Sequence, residues 1–175
     1  MSGTAFPSTV SQVDTTARFP LGYEVTLPAT KSGTGGVTNN AGPQTWVYVF
    51  NDEASAAFAA GNIIYRDPSA TTHDWYGGLL TPVDVHQPKV LVLGVAQHAI
   101  AAGSYGFILQ KGVGTIMAGT AALTLDTAFT SGGADNVGRA IDYADAANQE
   151  NVAVIGHTAA GIAGDATGTA YINCG

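Results

Sequence analysis

Four histidines, His73, His86, His98 and His157, are the side chains best suited to acid–base or metal chemistry. None stands at a ligand spacing such as H-x-x-x-H or H-E-x-x-H. The tetrad His73-Asp74-Trp75-Tyr76 puts a base, an acid and two aromatic rings side by side. That mixture suits a sugar-binding or catalytic loop, and equally a loop packed against a barrel end. His98 and His157 each follow an expected strand and read as polar strand-end residues. A serine nucleophile would need a G-x-S-x-G elbow, and Ser104 and Ser131 stand instead in turn contexts. Gly112-Val113-Gly114 lacks the third glycine of a dinucleotide fingerprint, and Ser32-Gly-Thr-Gly-Gly36 has no Lys-Ser/Thr after it. Asp165-Ala-Thr-Gly-Thr169 echoes the phosphorylated aspartate motif of ion pumps, but Ala166 replaces its lysine and the chain is far too short. Asp142 and Asp145 would share one face of a short helix as a solvated pair. Cys174, the single cysteine, excludes an internal disulfide and reads as a buried, inert thiol. The expectation is a chain with no cofactor, no metal and no enzymatic activity.

The elements that must hold these residues change character near Thr45. Residues 1–44 are rich in Thr, Ser, Gly and Pro, yet carry large apolar side chains at Phe6, Val10, Val13, Phe19, Leu21, Tyr23, Val25 and Leu27. A free disordered tail would not need them. The pattern suits an extended arm that docks on something, although 19–27 reads equally well as the first strand of the core. From Thr45 onward, β-branched and aromatic runs at 45–50, 62–65, 89–93, 105–111, 122–125, 151–155 and 169–173 are bounded by Gly, Pro, Asn and Asp. One helix is signalled over 52–60: Asn51 as cap, Asp52 and Glu53 at the positive end, alanines in the body and Gly61 after it. A second helical turn is weakly signalled at 139–148. A small residue followed by Gly precedes several strands, at 60–62, 102–104 and 118–120, with spacings too unequal to define a repeat. Short strands without long helices between them make the fold class mostly β. The expected architecture is an antiparallel β-barrel or sandwich with one short helix and an extended N-terminal arm. It divides into an arm and Gly/Pro-rich linker over 1–44 and a barrel domain over 45–175.

Composition bounds what such a domain can meet. Among 175 residues only 19 are charged (6 Lys+Arg and 13 Asp+Glu), or 11%, where soluble domains usually carry about 25%. A monomer of this mass exposes roughly 8,000 Å², so about one charge falls on each 400 Å². That is sparse for a solitary protein, and it points to an exterior that meets neighbours or to one made polar by Thr, Ser and Asn. Arg18, Lys31, Arg66, Lys89, Lys111 and Arg139 are scattered and the net charge is −7, which disfavours nucleic acid. No apolar run approaches about 18 residues, and the N-terminus lacks a basic and then apolar leader, so neither a membrane span nor a secretory precursor is expected.

The most informative stretch is Leu93-Gly-Val-Ala-Gln-His-Ala-Ile-Ala-Ala-Gly-Ser-Tyr-Gly-Phe-Ile-Leu-Gln-Lys-Gly112. It reads as a strand, a turn around Ala101-Ala-Gly103 and a returning strand from Tyr105. This unit resembles the β-barrel hairpin of the small capsid decoration, or cement, proteins of tailed bacteriophages, in which a G-x-A … A-G-x-Y-G-[FW]-[IV] pattern recurs. Thr115-Ile-Met-Ala-Gly119 and Val152-Ala-Val-Ile-Gly156 look like the rest of such a barrel, and Ala17-Arg-Phe-Pro-Leu-Gly22 is similar to the N-terminal segments of phage structural proteins. Residues 45–90 are not explained by it. The resemblance implies a non-enzymatic virion protein on the capsid exterior, assembled in the host cytoplasm. It would self-associate, as a homotrimer, and bind adjacent subunits of the major capsid protein. The arm over 1–28 is the expected clamp, with Phe6, Val10, Phe19, Leu21 and Tyr23 as contacts. Each large side chain buried on a neighbour contributes about 1.5–3 kcal/mol, before ordering costs. The alternatives are a tail-fibre or surface module binding glycans through Trp46, His73, Trp75 and Tyr76, and a small hydrolase using His73 or His157.

Overall fold

The β-branched and aromatic runs form strands, some buried at both parities, as in β3 and β4, and others at alternate positions only, as in β11. The computed structural model describes residues 10–28, 42–68, 73, 75–81, 91–132, 136–145 and 154–175. Its strands are β1 (Val13–Asp14), β2 (Glu24–Leu27), β3 (Gln44–Asn51), β4 (Ile63–Arg66), β5 (Gly77–Leu79) and β6 (Val92–Val95). They continue as β7 (Tyr105–Met117), β8 (Ala128–Gly132), β9 (Asn136–Asp142), β10 (Gly156–Thr158) and β11 (Thr167–Asn173). The order across the sheet is β2-β3-β5-β4-β6-β7-β11-β10-β8-β9. β3 runs parallel to β5 and antiparallel to β7, which closes β3, β5, β4, β6 and β7 into a small barrel. The alternation of β3 sends Val47 and Val49 inward, where they meet Phe58, Ile64, Leu93 and Ile108. Trp46 and Tyr48 point outward into a second cluster that also holds Phe107 and Leu109.

The same arrangement occurs twice. β4 pairs with β5 and β6, and β6 with β7, all antiparallel. β8 pairs with β9 and β10, and β10 with β11, again antiparallel. In the second set the role of β3 falls to the end of β7, which is antiparallel to β11 and leads into Ala118, itself bridged parallel to Ala140 of β9. The 13-residue β7 therefore closes one barrel and opens the next. Backbone bonds match between the two. Phe58 and Ile100 exchange both hydrogen bonds, as Leu123 and Ile162 do; Ala96 N–H donates to Asn62 O as Thr158 N–H donates to Thr127 O. Asn51 N–H donates to Ser104 O at 2.8 Å, and Ala118 N–H to Ala166 O at 2.9 Å. A methyl group at Gly94 would strike the carbonyl of Leu109, and one at Gly156 the carbonyl of Tyr171. The second barrel is filled by Ile116, Leu123, Phe129, Ile155, Ile162 and Ala170, each at most 5% exposed.

Five of these strands, β2, β4, β7, β8 and β11, are entered by one device. An apolar residue is followed three positions later by a positive-φ residue and five positions later by a strand. The triples are Phe19/Gly22/Glu24, Phe58/Gly61/Ile63, Ile100/Gly103/Tyr105, Leu123/Asp126/Ala128 and Ile162/Asp165/Thr167. The left-handed residue turns the chain so that the apolar side chain is buried just before the strand begins, Phe19 on the outer face of the first barrel and the other four inside the barrels.

Several expectations are corrected. Residues 52–60 do not form a helix. Asn51 Oδ1 does accept from Glu53 N–H as a cap would, but its Nδ2 donates to Ala56 O and Ile100 O, and Asp52 N–H donates to Gly78 O. Phe58 is fully buried in the barrel. That burial, about 1.5–3 kcal/mol, together with the sheet bonds outweighs the few tenths per residue that alanine favours helix. Residues 122–125 contribute only the Leu123 bridge, and 139–142 belong to β9, with a 3-10 turn at Tyr143–Asp145 after it. Residues 151–153 of the expected late strand lie outside the described residues, and pairing starts at Gly156. Within the expected arm, β1 pairs with β7 and β2 with β3.

Candidate interaction surfaces

The N-terminal strap, residues 10–28, covers the outer face of the first barrel. Phe19 is 9% exposed. Its ring stacks on Tyr23 at 5.3 Å and meets Tyr48 and Phe107 edge-on at 5.3 and 5.5 Å. Val10, Leu21 and Tyr23 pack half-buried against the same cluster. Gly22 lies directly on the Tyr76 ring, where any side chain would collide. The four described contact candidates thus dock on the chain's own barrel; Phe6 lies outside the described residues. Beneath the strap, Tyr48 Oη donates to Asp14 Oδ2 at 3.0 Å and accepts from Arg18 N–H at 3.3 Å. Burial, partly offset by the Arg18 N–H and reinforced by the Asp14 carboxylate, pushes the Tyr48 phenol up to about 12.

The other sequence candidates separate. His73 stacks on Phe50 at 3.8 Å and has Nδ1 at 3.4 Å from Asp52 Oδ2. Tyr76 N–H donates to His73 O, closing a turn in which Trp75 adopts φ 70° and stands 53% exposed. Arg66 fixes that turn: its Nη1 donates to Trp75 O at 2.9 Å and its guanidinium lies 4.8 Å above the Tyr76 ring. Trp46, by contrast, is 6% exposed and offers no platform. Asp74 and His86 lie outside the described residues. His98 Nε2 is buried with no hydrogen-bond partner among the described residues, and burial holds its pKa below the usual value. His157 is exposed on β10 between buried Gly156 and Thr158, 3.7 Å from Asp126. Asp142 is buried by structure rather than chemistry, accepting from Thr124 N–H, Thr124 Oγ1 and Thr127 Oγ1 at the wall of a cleft of about 400 Å³. Among the described residues no group of three or more His, Cys, Asp or Glu is placed to hold a metal, and no helix is long and apolar enough to cross a membrane.

One surface was not anticipated. The outer face that the strap covers on the first barrel has a counterpart on the second, made by Val113, Thr115 and Met117 of β7 opposite Tyr171, Thr169 and Thr167 of β11. Among the described residues no strap lies over it; Thr167, Thr169 and Tyr171 are exposed, while Val113, Thr115 and Met117 are half-buried. Tyr171 is 45% exposed, and its cross-strand neighbour His157 is exposed too. These six positions carry no charge; Lys111 and the His157–Asp126 contact stand at the rim. The signal in the sequence is the uncharged alternation Val113-x-Thr115-x-Met117 and Thr167-x-Thr169-x-Tyr171. Comparison of the chain with family models, with curated proteins and with solved structures finds no match.

Proposed function

We propose that this chain is a non-enzymatic structural protein of a phage head, a decoration protein that binds the major capsid protein from outside and associates with its own copies. The single observation that carries the reading is the uncharged outer face of β7 and β11, exposed at Thr167, Thr169 and Tyr171, on a chain with a net charge of −7. A surface built for water would distribute its charges, whereas a contact surface keeps them at its rim. The resemblance of residues 93–112 to the cement-protein hairpin supports the same assignment. Because Phe19, Leu21 and Tyr23 pack on the chain's own barrel, the shell contact in this reading lies on surfaces that stay open after folding. Adding the purified protein to undecorated shells of the phage that encodes it, and sedimenting them, tests the reading. Saturable binding in a fixed ratio to capsid subunits is expected; shells that pellet without the protein would remove it.

A second reading has its own observation. Trp75, exposed on a turn pinned by Arg66, is the kind of rigid aromatic platform on which a sugar ring stacks. Glycan-array binding that disappears in Trp75→Ala would favour a surface glycan-binding module instead.

A further inference from the structure

We infer that His98 is a proton-sensitive wedge at the end of the first barrel, and that protonation drives its ring out from beside Gly106 and loosens the hold of β7 on β1. The inference does not depend on the shell.

His98 lies in the connection from β6 to β7, two residues before Ile100, and its half-buried ring has Nε2 sealed from solvent. Among the described residues that nitrogen has no hydrogen-bond partner. A methyl group on Gly106 would stand 3.6 Å from Nε2 and 2.8 Å from Ile100 Cδ1, so the ring edge and Ile100 together fill the place where β7 lacks a side chain. Three strands meet there. Gly106 pairs with Val49 of β3 and with Val13 of β1, and it is one of the two partners that β1 has on β7.

A neutral imidazole carries one N–H and can leave Nε2 as a bare acceptor. The imidazolium carries N–H on both nitrogens and must aim one of them at Gly106 and Ile100, where no acceptor waits. A buried donor without a partner is costly, and part of a positive charge makes it more so. No neighbouring carboxylate offsets this. The adjoining titratable residues are Tyr105 on β7 and Asp14 on β1, which are paired with each other and lie by alternation on the face opposite Gly106. Asp14 is engaged there by Tyr48 Oη and Gln12 Nε2, with Arg18 at 3.7 Å. On the segment that brings Phe58 to Ile100, Asp52 faces His73 and Glu53 accepts from Leu80 N–H. Burial alone lowers the His98 pKa from its ordinary 6.5, with no charge among the causes.

Between the lowered value and 6.5 a displaced ring binds a proton that the seated ring refuses. Displacement therefore becomes more favourable as pH falls below 6.5 and levels off below the folded pKa. The barrel need not unfold for it, because Ala96 N–H and Ile100 N–H on either side stay bonded to Asn62 O and Phe58 O.

NMR of the full chain tests this, by titrating the histidine rings from pH 8 to 5 and by measuring amide exchange at pH 7.5 and 5, above the ordinary carboxylate range of about 4. The His98 ring is expected to titrate below 6.5. Protection at Val13–Asp14 and Ser104–Gly106 should fall at pH 5 by up to about 30-fold, the limit set by the distance from 6.5, while protection at Phe129 holds. His98→Gln, neutral throughout and with the other histidines intact, should keep its protection at pH 5. A His98 ring that titrates at or above 6.5 would overturn the inference, and so would an equal acid loss in the glutamine variant. A loss at Val13 matched at Phe129 would overturn it too, since the whole molecule would then be opening. Should the variant fail to fold, the ring titration and the comparison of Val13 with Phe129 in the wild type still decide.

Discussion

Tyr48 carries the clearest single-residue consequence of the docked strap. Its phenol is neutral when folded, donating to Asp14, and its folded pKa of about 12 lies above the ordinary 10.0. Between those values the unfolded chain releases a proton that the folded chain keeps, so the stabilisation is complete below pH 10 and is lost as pH rises toward 12. Tyr48→Phe should flatten the alkaline limb of stability against pH by about 1–2 kcal/mol, with solvent screening allowed for. Denaturant melts at pH 8, 10 and 11.5 would measure it, and equal slopes in both proteins would disprove the burial of this hydroxyl. Gly103 offers a cleaner backbone test. It sits at φ 71° with open space around the missing side chain, so Gly103→Ala adds no collision and costs only the left-handed strain, about 1–2 kcal/mol. The equivalent position of the second barrel is Asp165, at φ 58°. Gly103→Asp should therefore cost less than half as much as the alanine substitution in parallel thermal melts.

Among elements, equivalent strand positions in the two barrels should respond differently because one face is covered. Phe107→Ala, beneath the strap, should cost about 3–5 kcal/mol through the cavity it leaves. Thr169→Ala, its exposed counterpart, should change stability by no more than about 0.5 kcal/mol. Deleting residues 1–16 removes β1 and the Asp14 partner of Tyr48, so the truncated protein should melt at a lower temperature rather than leave the barrel untouched. Much of this was legible in residue types. The runs at 45–50, 62–65 and 105–111 sit within or beside strands whose β-branched and aromatic side chains are buried at both parities, and 169–173 lies in a strand buried at alternate positions only, Ala170 and Ile172. The alanines of 54–60 misled because helix propensity is worth tenths of a kilocalorie per residue, against a phenylalanine inside a barrel. The duplication stayed hidden because its marker is a backbone angle: Gly61 and Gly103 announce it, whereas Asp126 and Asp165 reach the same φ without glycine. The outer face of β11 was legible only as an uncharged alternation, Thr167-x-Thr169-x-Tyr171, without its place in the fold. Threonines on a strand look alike until the register shows that another barrel carries Phe107 and Tyr48 in their place.

At the scale of the whole molecule, sharing β7 makes the two barrels mechanically one. Repeat architectures gain stability from each unit and from the interface between neighbours, and a unit that loses its interface can unfold alone. Here the interface is a strand common to both closed sheets, paired with β3 over Thr45–Phe50 and with β11 over Lys111–Met117. Opening the second barrel strips β11 from β7 and uncovers the buried side chains Tyr65, Val92 and Leu109 of the shared cluster. The first barrel cannot keep its outer face intact when that happens. Leu123→Ala, a cavity inside the second barrel, should cost about 2–5 kcal/mol. It should lower hydrogen-exchange protection at Val47, Val49 and Ile108 in the first barrel by the same free energy as at Phe129 in the second, since both amide sets exchange only through global opening. Calorimetry should show one transition whose van't Hoff and calorimetric enthalpies agree. Two transitions, or protection that falls only around Phe129, would mean that β7 joins two independently folding barrels and does not fuse them.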